Sequence, residues 1–246
     1  IEEWDKVAKW TGEKNKYRYN AVYGFDKNGK ERSSMTNTYH KPQISLNHQW
    51  QIDHKSSLST ALYMSIGRGS GYSGQGRTSA YRSMWNGSSN GQLLYNFRKE
   101  DGTFDYAAIQ EMNAASETGS NMIMSKSNNN HMWYGLLSTY TNELLPGLEL
   151  SAGVDVRYYM GEHTNEIIDL YDGAYFIDDA DRKNVKPENN IAAADPNWKY
   201  EKLSVGDIVY RDYDGHVHQE GVFAQLEYSI DKVNTFISGS FSNTGY

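Results

Sequence analysis

Three observations predict an all-β fold of long antiparallel hairpins, a segment of a transmembrane β-barrel. Apolar and polar residues alternate over several stretches, the connections between stretches run short and long in turn, and charges avoid the apolar side. The clearest stretch runs from Leu148 to Met160. Leu148, Leu150, Ala152, Val154, Val156, Tyr158 and Met160 fall on one face, and Glu149, Ser151, Gly153, Asp155, Arg157 and Tyr159 on the other, as the two-residue period of a strand requires. Its 13 residues exceed the ~5–6 of an ordinary strand and suit a tilted strand spanning a bilayer, which needs roughly 9–11.

Taken in order, residues 1–37 are polar and mixed, with turn signals at Asp26-Lys27-Asn28-Gly29, and read as a loop. Within it Trp4, Val7 and Trp10 mark one short amphipathic helix. Residues 38–68 hold the first hairpin. Ile44, Leu46, His48, Trp50 and Ile52 alternate against Gln43, Ser45, Asn47, Gln49 and Gln51, the chain turns through Asp53-His54-Lys55-Ser56, and Leu58, Thr60, Leu62, Met64 and Ile66 return. Such a pattern is an antiparallel pair with one apolar face.

Residues 69–130 read as a long loop that opens on a Gly/Ser/Tyr-rich segment. One short helix is expected over Phe104–Met112, capped by Thr103 or Asp105, because those side chains accept from orphan N–H groups at a helix start. The second hairpin occupies 131–161, with a turn through Asn142–Gly147. In its first strand Trp133, Gly135, Leu137 and Thr139 compete with Met132, Tyr134, Leu136 and Tyr140 for the apolar side, and alternation leaves the facing open. Residues 162–217 form a second long loop containing Ile167, Ile168, Leu170 and Tyr171, an acidic cluster (Asp178, Asp179, Asp181) and Asp212-Tyr213-Asp214-Gly215. The closing hairpin, 218–246, places Val222, Ala224, Leu226, Tyr228 and Ile230 on one face, turns at Asp231-Lys232, and returns with Val233, Thr235, Ile237, Gly239 and Phe241.

Six strands are thus joined by turns of 4, 6 and 2 residues, and the hairpins are separated by loops of 62 and 56. Loops beyond about 12–15 residues count against a compact domain unless they are functional. Short turns at one end and long loops at the other is the layout of an outer-membrane barrel. No Asp, Glu, Lys or Arg falls on the apolar face of five of the strands, while Asp155, Arg157 and Glu227 fall on the polar face. A lipid-side Arg or Lys costs about 2–4 kcal/mol near the midplane, enough to produce that segregation. Leu148, Leu150, Val154, Val156, Val222, Leu226 and Ile237 are therefore expected to face lipid, and Asp155, Arg157 and Glu227 the lumen. Trp50 and Tyr228 read as girdle residues at the membrane boundary.

Composition narrows the class. Tyr 20, Phe 7 and Trp 6 exclude a disordered chain. Mean hydropathy is -0.77, and no apolar run approaches the roughly 20 residues of a spanning helix. A net charge of -7 opposes nucleic-acid binding, which needs a basic face. Without cysteine there is no disulfide, thiolate or Cys-ligated zinc. No catalytic constellation stands out, and neither an enzyme nor a cofactor is expected.

Weaker signals each have a plain alternative. His216 and His218 share a strand face and suit a metal or a polar strand end. Asp212-x-Asp214-Gly215 matches part of a calcium loop or a solvated turn. Asp178, Asp179 and Asp181 would gather a cation or simply stay hydrated. Tyr72, Tyr81 and Trp85 in the Gly-rich loop are the candidate ligand-binding residues, stacking on a sugar or peptide or else packing on neighbouring loop.

Specific segments add a family likeness. Thr38-Tyr39-His40-Lys41-Pro42-Gln43-Ile44-Ser45-Leu46-Asn47-His48, Asn130-His131-Met132-Trp133-Tyr134-Gly135, Gly221-Val222-Phe223-Ala224-Gln225-Leu226-Glu227-Tyr228 and Phe236-Ile237-Ser238-Gly239-Ser240-Phe241-Ser242-Asn243-Thr244 resemble the barrel region of TonB-dependent outer-membrane receptors of Bacteroidota, SusC-like or related. The resemblance runs from about residue 38 onward. It implies a 22-stranded barrel in the bacterial outer membrane, surrounded by lipid, with an N-terminal plug through which TonB drives ligand import; a surface lipoprotein partner is left open. On this reading residues 1–246 are one part of a single barrel domain, without its plug, and Tyr246 marks a cut within a strand. Two other classes remain open: a soluble extracellular β-sandwich that binds glycans, and a receptor-like barrel serving as an envelope scaffold.

Overall fold

A computed structural model describes residues 3–246; of the segment 1–37, residues 1 and 2 lie outside them. Strands hold 54% of the residues and helices 16%, so the chain is all-β with antiparallel sheets. In chain order the elements are α1 (Trp4–Thr11), β1 (Tyr23–Phe25), β2 (Glu31–Ser33), β3 (Asn37–His40), β4 (Gln43–Gln51), β5 (Ser56–Gly76), α2 (Ser79–Ser83), β6 (Ser88–Ser89), β7 (Gln92–Leu93), β8 (Phe104–Asp105), α3 (Tyr106–Ala114), β9 (Met122–Leu145), β10 (Leu148–Asp169), α4 (Asp179–Arg182), β11 (Ile208–Ile230) and β12 (Val233–Gly245). They divide into two compact units, one of residues up to 38, 70–128 and 164–212, the other of 39–69, 129–163 and 213–246.

The strands outrun the sequence pattern at their loop ends. β5 continues to Gly76, β9 begins at Met122, β10 continues to Asp169 and β11 begins at Ile208, so the intervals 69–130 and 162–217 are partly strand. Period-two alternation fades at the start of β9 because both sides of the strand are covered by protein. At the start of β9, Met122 and Met124 join one cluster with Trp85, Phe104, Tyr106, Ile109 and Tyr171. Ile123 points the other way into a second cluster with Ile167, Phe176, Leu203 and Val209. A strand buried on both faces reads as a continuous apolar run, and Met-Ile-Met is one.

These two clusters are the hydrophobic core of the first unit. Its small sheet orders β2-β1-β8, with β1 and β8 parallel. α3 starts on Asp105, whose carboxylate accepts the Ala108 N–H at 3.1 Å. Buried Asn113, near the other end of α3, ties the segments around it together. Its Nδ2 donates to the carbonyls of Met122 (2.7 Å) and Leu170 (3.1 Å), and its Oδ1 accepts the N–H of Asn121 at 2.9 Å. Arg98 performs the same service for the N-terminal segment, donating to the Ala21 (2.7 Å) and Gly87 (2.8 Å) carbonyls. Buried carbonyls need such partners, and here side chains supply them where no ladder reaches.

The second unit is built of hairpins. They belong to a seven-stranded sheet in the order β12-β11-β10-β9-β5-β3, with β4 also paired to β5. Across β4/β5 the register sets Ile44 opposite Met64, Leu46 opposite Leu62 and Trp50 opposite Leu58. Across β11/β12 it sets Val222 opposite Phe241, Leu226 opposite Ile237 and Ile230 opposite Val233. Both registers are those the alternation requires. The break between β3 and β4 falls at Lys41-Pro42, where proline has no N–H to give and so belongs on an edge. The Pro42 carbonyl accepts from Ser65 Oγ at 2.7 Å.

The short turns have local causes. Asp53 Oδ1 accepts the N–H groups of Lys55 (2.7 Å) and Ser56 (2.8 Å), closing the first turn; these bonds hold its carboxyl below the usual range. The second turn is tighter than the expected Asn142–Gly147: β9 runs on to Leu145, leaving Pro146 and Gly147 between the strands. Gly147 takes φ +80, a left-handed conformation that glycine adopts without steric cost. The sheet does not close on itself, and β12 is one of its outermost strands.

Candidate functional site

The feature of the second unit that calls for a function is the apolar side of its hairpins. Cross-strand neighbours share a face, so contacts assign every strand to one of two sides. Tyr134 lies 5.4 Å from Tyr158, ring to ring, and Thr60 Oγ1 meets Ser138 Oγ at 2.8 Å. Even-numbered residues of β9 therefore join Leu62, Val156 and Tyr158. Trp133 lies 5.3 Å from Tyr63, and the Tyr63 hydroxyl points at Asp155, 3.5 Å away. Odd-numbered residues of β9 therefore join the polar side. The facing that alternation left open is thus resolved by ring contacts.

On the even side, Ile44, Leu46, Trp50, Leu62, Met64, Val154, Val156, Val222, Leu226, Ile237 and Phe241 are all exposed, Val154 at 40% and Ile237 at 72%. Leu148 and Leu150 are half-buried on the same side. Within this side a trough of about 520 Å³ opens between Ile44, Met64, Tyr134, Val156 and Tyr158. The row Leu148–Met160 measures roughly 40 Å along the strand, about 28 Å across a bilayer at a tilt near 45°. An outer-membrane apolar band is about 25 Å tall.

The odd side carries the charges. Arg157 donates through Nη2 to Gln219 Oε1, and Asn234 Nδ2 donates to Glu227 Oε1 at 2.8 Å. With Asp155 beside Tyr63 and Trp133, these groups make a polar surface set with aromatic rings. Trp133 competes with Tyr134 and Leu136 in the alternation, and its ring contact with Tyr63 is what places it on this side.

Polar aromatics and histidines mark the end of the apolar row that lies away from the short turns. Tyr158 OH and His216 Nδ1 are 2.8 Å apart, and the His163 and Tyr213 rings lie 5.1 Å apart. Trp50 and Tyr228 stand near the short turns, both exposed. His218 Nε2 lies 3.5 Å from Glu220. Among the described residues no group of three His, Cys, Asp or Glu is arranged to hold a metal ion.

The loop candidates separate. Tyr72 belongs to β5 and is exposed, Tyr81 sits in α2, and Trp85 is a core residue at 4% exposure. Trp85 donates its indole N–H to the Gln75 carbonyl at 2.9 Å and packs 5.4 Å from Tyr171, so it has no open face for a ligand. Asp212-Tyr213-Asp214-Gly215 is extended strand within β11, where successive side chains diverge and cannot wrap a calcium ion. Within the acidic cluster Asp178 and Asp181 remain neighbours; Asp181 pairs with Arg82, and Asp178, 2% exposed, accepts the Tyr210 N–H. No family model matches the chain, and no curated protein matches its sequence.

Proposed function

We propose that these hairpins are wall of an outer-membrane β-barrel of the TonB-dependent receptor type, which imports a ligand. The observation that supports this reading is the even side: apolar residues paired in register across neighbouring strands and left exposed. A soluble monomer seldom exposes contiguous apolar surface beyond a few hundred Å². Hydrocarbon would cover it at no cost, and the carboxylates and guanidinium of Asp155, Glu227 and Arg157 would face a wet interior. In lipid each unpaired backbone group on an outermost strand costs several kcal/mol, so the reading requires further strands beside β12 and beside β3/β4, as in a larger barrel.

Import, and TonB as the energy source through a plug domain, rest on the family likeness of the strand segments, since architecture alone does not set function. Outer-membrane lipid is the partner of the even side, and a surface lipoprotein is a further candidate. The test is fractionation of cells expressing the protein with its flanking coding sequence. The reading expects recovery in the outer membrane, release only by detergent, and an encoded plug with a TonB-contacting segment. Recovery as an aqueous, detergent-independent monomer would sink it.

A further inference from the structure

The first unit holds a cavity of about 410 Å³ lined by Trp10, Arg18, Tyr19, Tyr23, Asp101 and Gly102. Its floor is rigid. Gly102 takes φ +85, and a Cβ there would come within 2.4 Å of the Trp10 ring, so only glycine lets that backbone lie against the indole. The Gly102 carbonyl accepts from Tyr19 OH at 2.7 Å and from Arg98 Nη1 at 2.9 Å. Arg98 also donates to Tyr19 OH at 2.6 Å, and the Trp10 and Tyr19 rings pack 5.7 Å apart. Tyr23 adds a third aromatic wall.

Two opposite charges line this aromatic cavity without meeting. Arg18 has no hydrogen-bond or ion-pair partner among the described residues. Asp101 Oδ1 accepts the Thr103 N–H at 2.9 Å and its hydroxyl at 2.6 Å, leaving Oδ2 open. Those bonds keep the Asp101 carboxyl below its usual range and hence ionised. A neutral guest would engage neither charge, and an anion or a cation would engage only one. A zwitterion engages both, because charge-assisted hydrogen bonds are the stronger kind and fix orientation in a concave site.

We propose that this cavity binds an amino acid or dipeptide, its carboxylate on Arg18, its ammonium on Asp101 and its side chain against Trp10 and Tyr23. The proposal is independent of the membrane reading, since every residue it uses lies in the first unit.

Calorimetry on the full chain, in detergent if needed, tests it with four probes: alanyl-phenylalanine, its N-acetyl form, its C-terminal amide, and glucose. The free dipeptide is expected to bind at least tenfold tighter than either blocked form, with no heat from glucose. Arg18→Gln should abolish the discrimination against the amide, and Asp101→Asn that against the N-acetyl form; both side chains are exposed, so the fold survives. Equal binding of all four probes, preference for glucose, or no binding of the dipeptide would overturn it.

Discussion

Asp178 Oδ2 accepts the backbone N–H of Tyr210 at 2.8 Å, from a position only 2% exposed. Tyr210 itself is held at φ +68, a conformation that a residue with a side chain adopts only when its surroundings impose it. The Asp178 contact therefore fixes the backbone where β11 begins. Burial pushes its carboxyl up to about 7, with the neighbouring Asp181 carboxylate adding to the rise and the Tyr210 N–H and Arg182 opposing it.

The consequence for stability has a definite sign. Between the ordinary carboxylate value of 3.8 and about 7, the folded chain keeps a proton that the unfolded chain has lost. Stability must fall as pH rises through that window and level off above it. Asp178→Asn keeps an acceptor for Tyr210 and removes the titration. Thermal melts should show the variant more stable than the parent by roughly 4 kcal/mol at pH 8 and nearly equal at pH 4. A difference that does not vary with pH would contradict this.

Gly102→Ala combines a left-handed backbone with overlap onto the Trp10 ring. Denaturant unfolding should register a loss of roughly 2–4 kcal/mol. Trp10 fluorescence should shift with it, since the indole must move off the Gly102 backbone. A neutral effect would mean that the floor of this cavity is not rigid.

Asn113→Ala would strip partners from the Met122 and Leu170 carbonyls and from the Asn121 N–H. Each buried group left unpaired costs about 1–3 kcal/mol, so a total loss of several kcal/mol is expected. Amide exchange should quicken first around residues 120–124. Uniform quickening along the chain would argue against a local clasp.

Val156→Arg and Arg157→Val test the two sides one residue apart. In lipid the first should cost about 2–4 kcal/mol if Val156 lies near the midplane. The second, losing a bond to Gln219, should stay within about 1 kcal/mol. Urea unfolding in liposomes reads both. Equal costs would remove the distinction between the sides.

The hairpin registers were legible because one face of each strand is apolar and a one-residue slip would invert it. Leu226 opposite Ile237 and Leu46 opposite Leu62 follow from that alone. The facing of residues 131–141 was not legible: Trp133 and Tyr134 have equal claims by hydrophobicity, and only their rings' different partners, Tyr63 and Tyr158, separate them. Strand ends such as Met122–Met124 were hidden because burial on both faces erases alternation. The short helix begun by Asp105 was visible through its cap. The Trp10 cavity was not, because Gly102 and Arg98 are brought to Tyr19 by contacts some 80 positions away in the chain, which no local pattern encodes.

The chain contains no cysteine, so single cysteines can be introduced without competing labels. Spin labels placed in turn at positions 222 to 228 in liposomes, read for collision with oxygen and with a water-soluble nickel complex, test the account's central claim most directly. Oxygen contact should peak at 222, 224, 226 and 228, and nickel contact at 223, 225 and 227. A period-two signal in which the even positions are shielded from both reagents would place them in a protein core and contradict it.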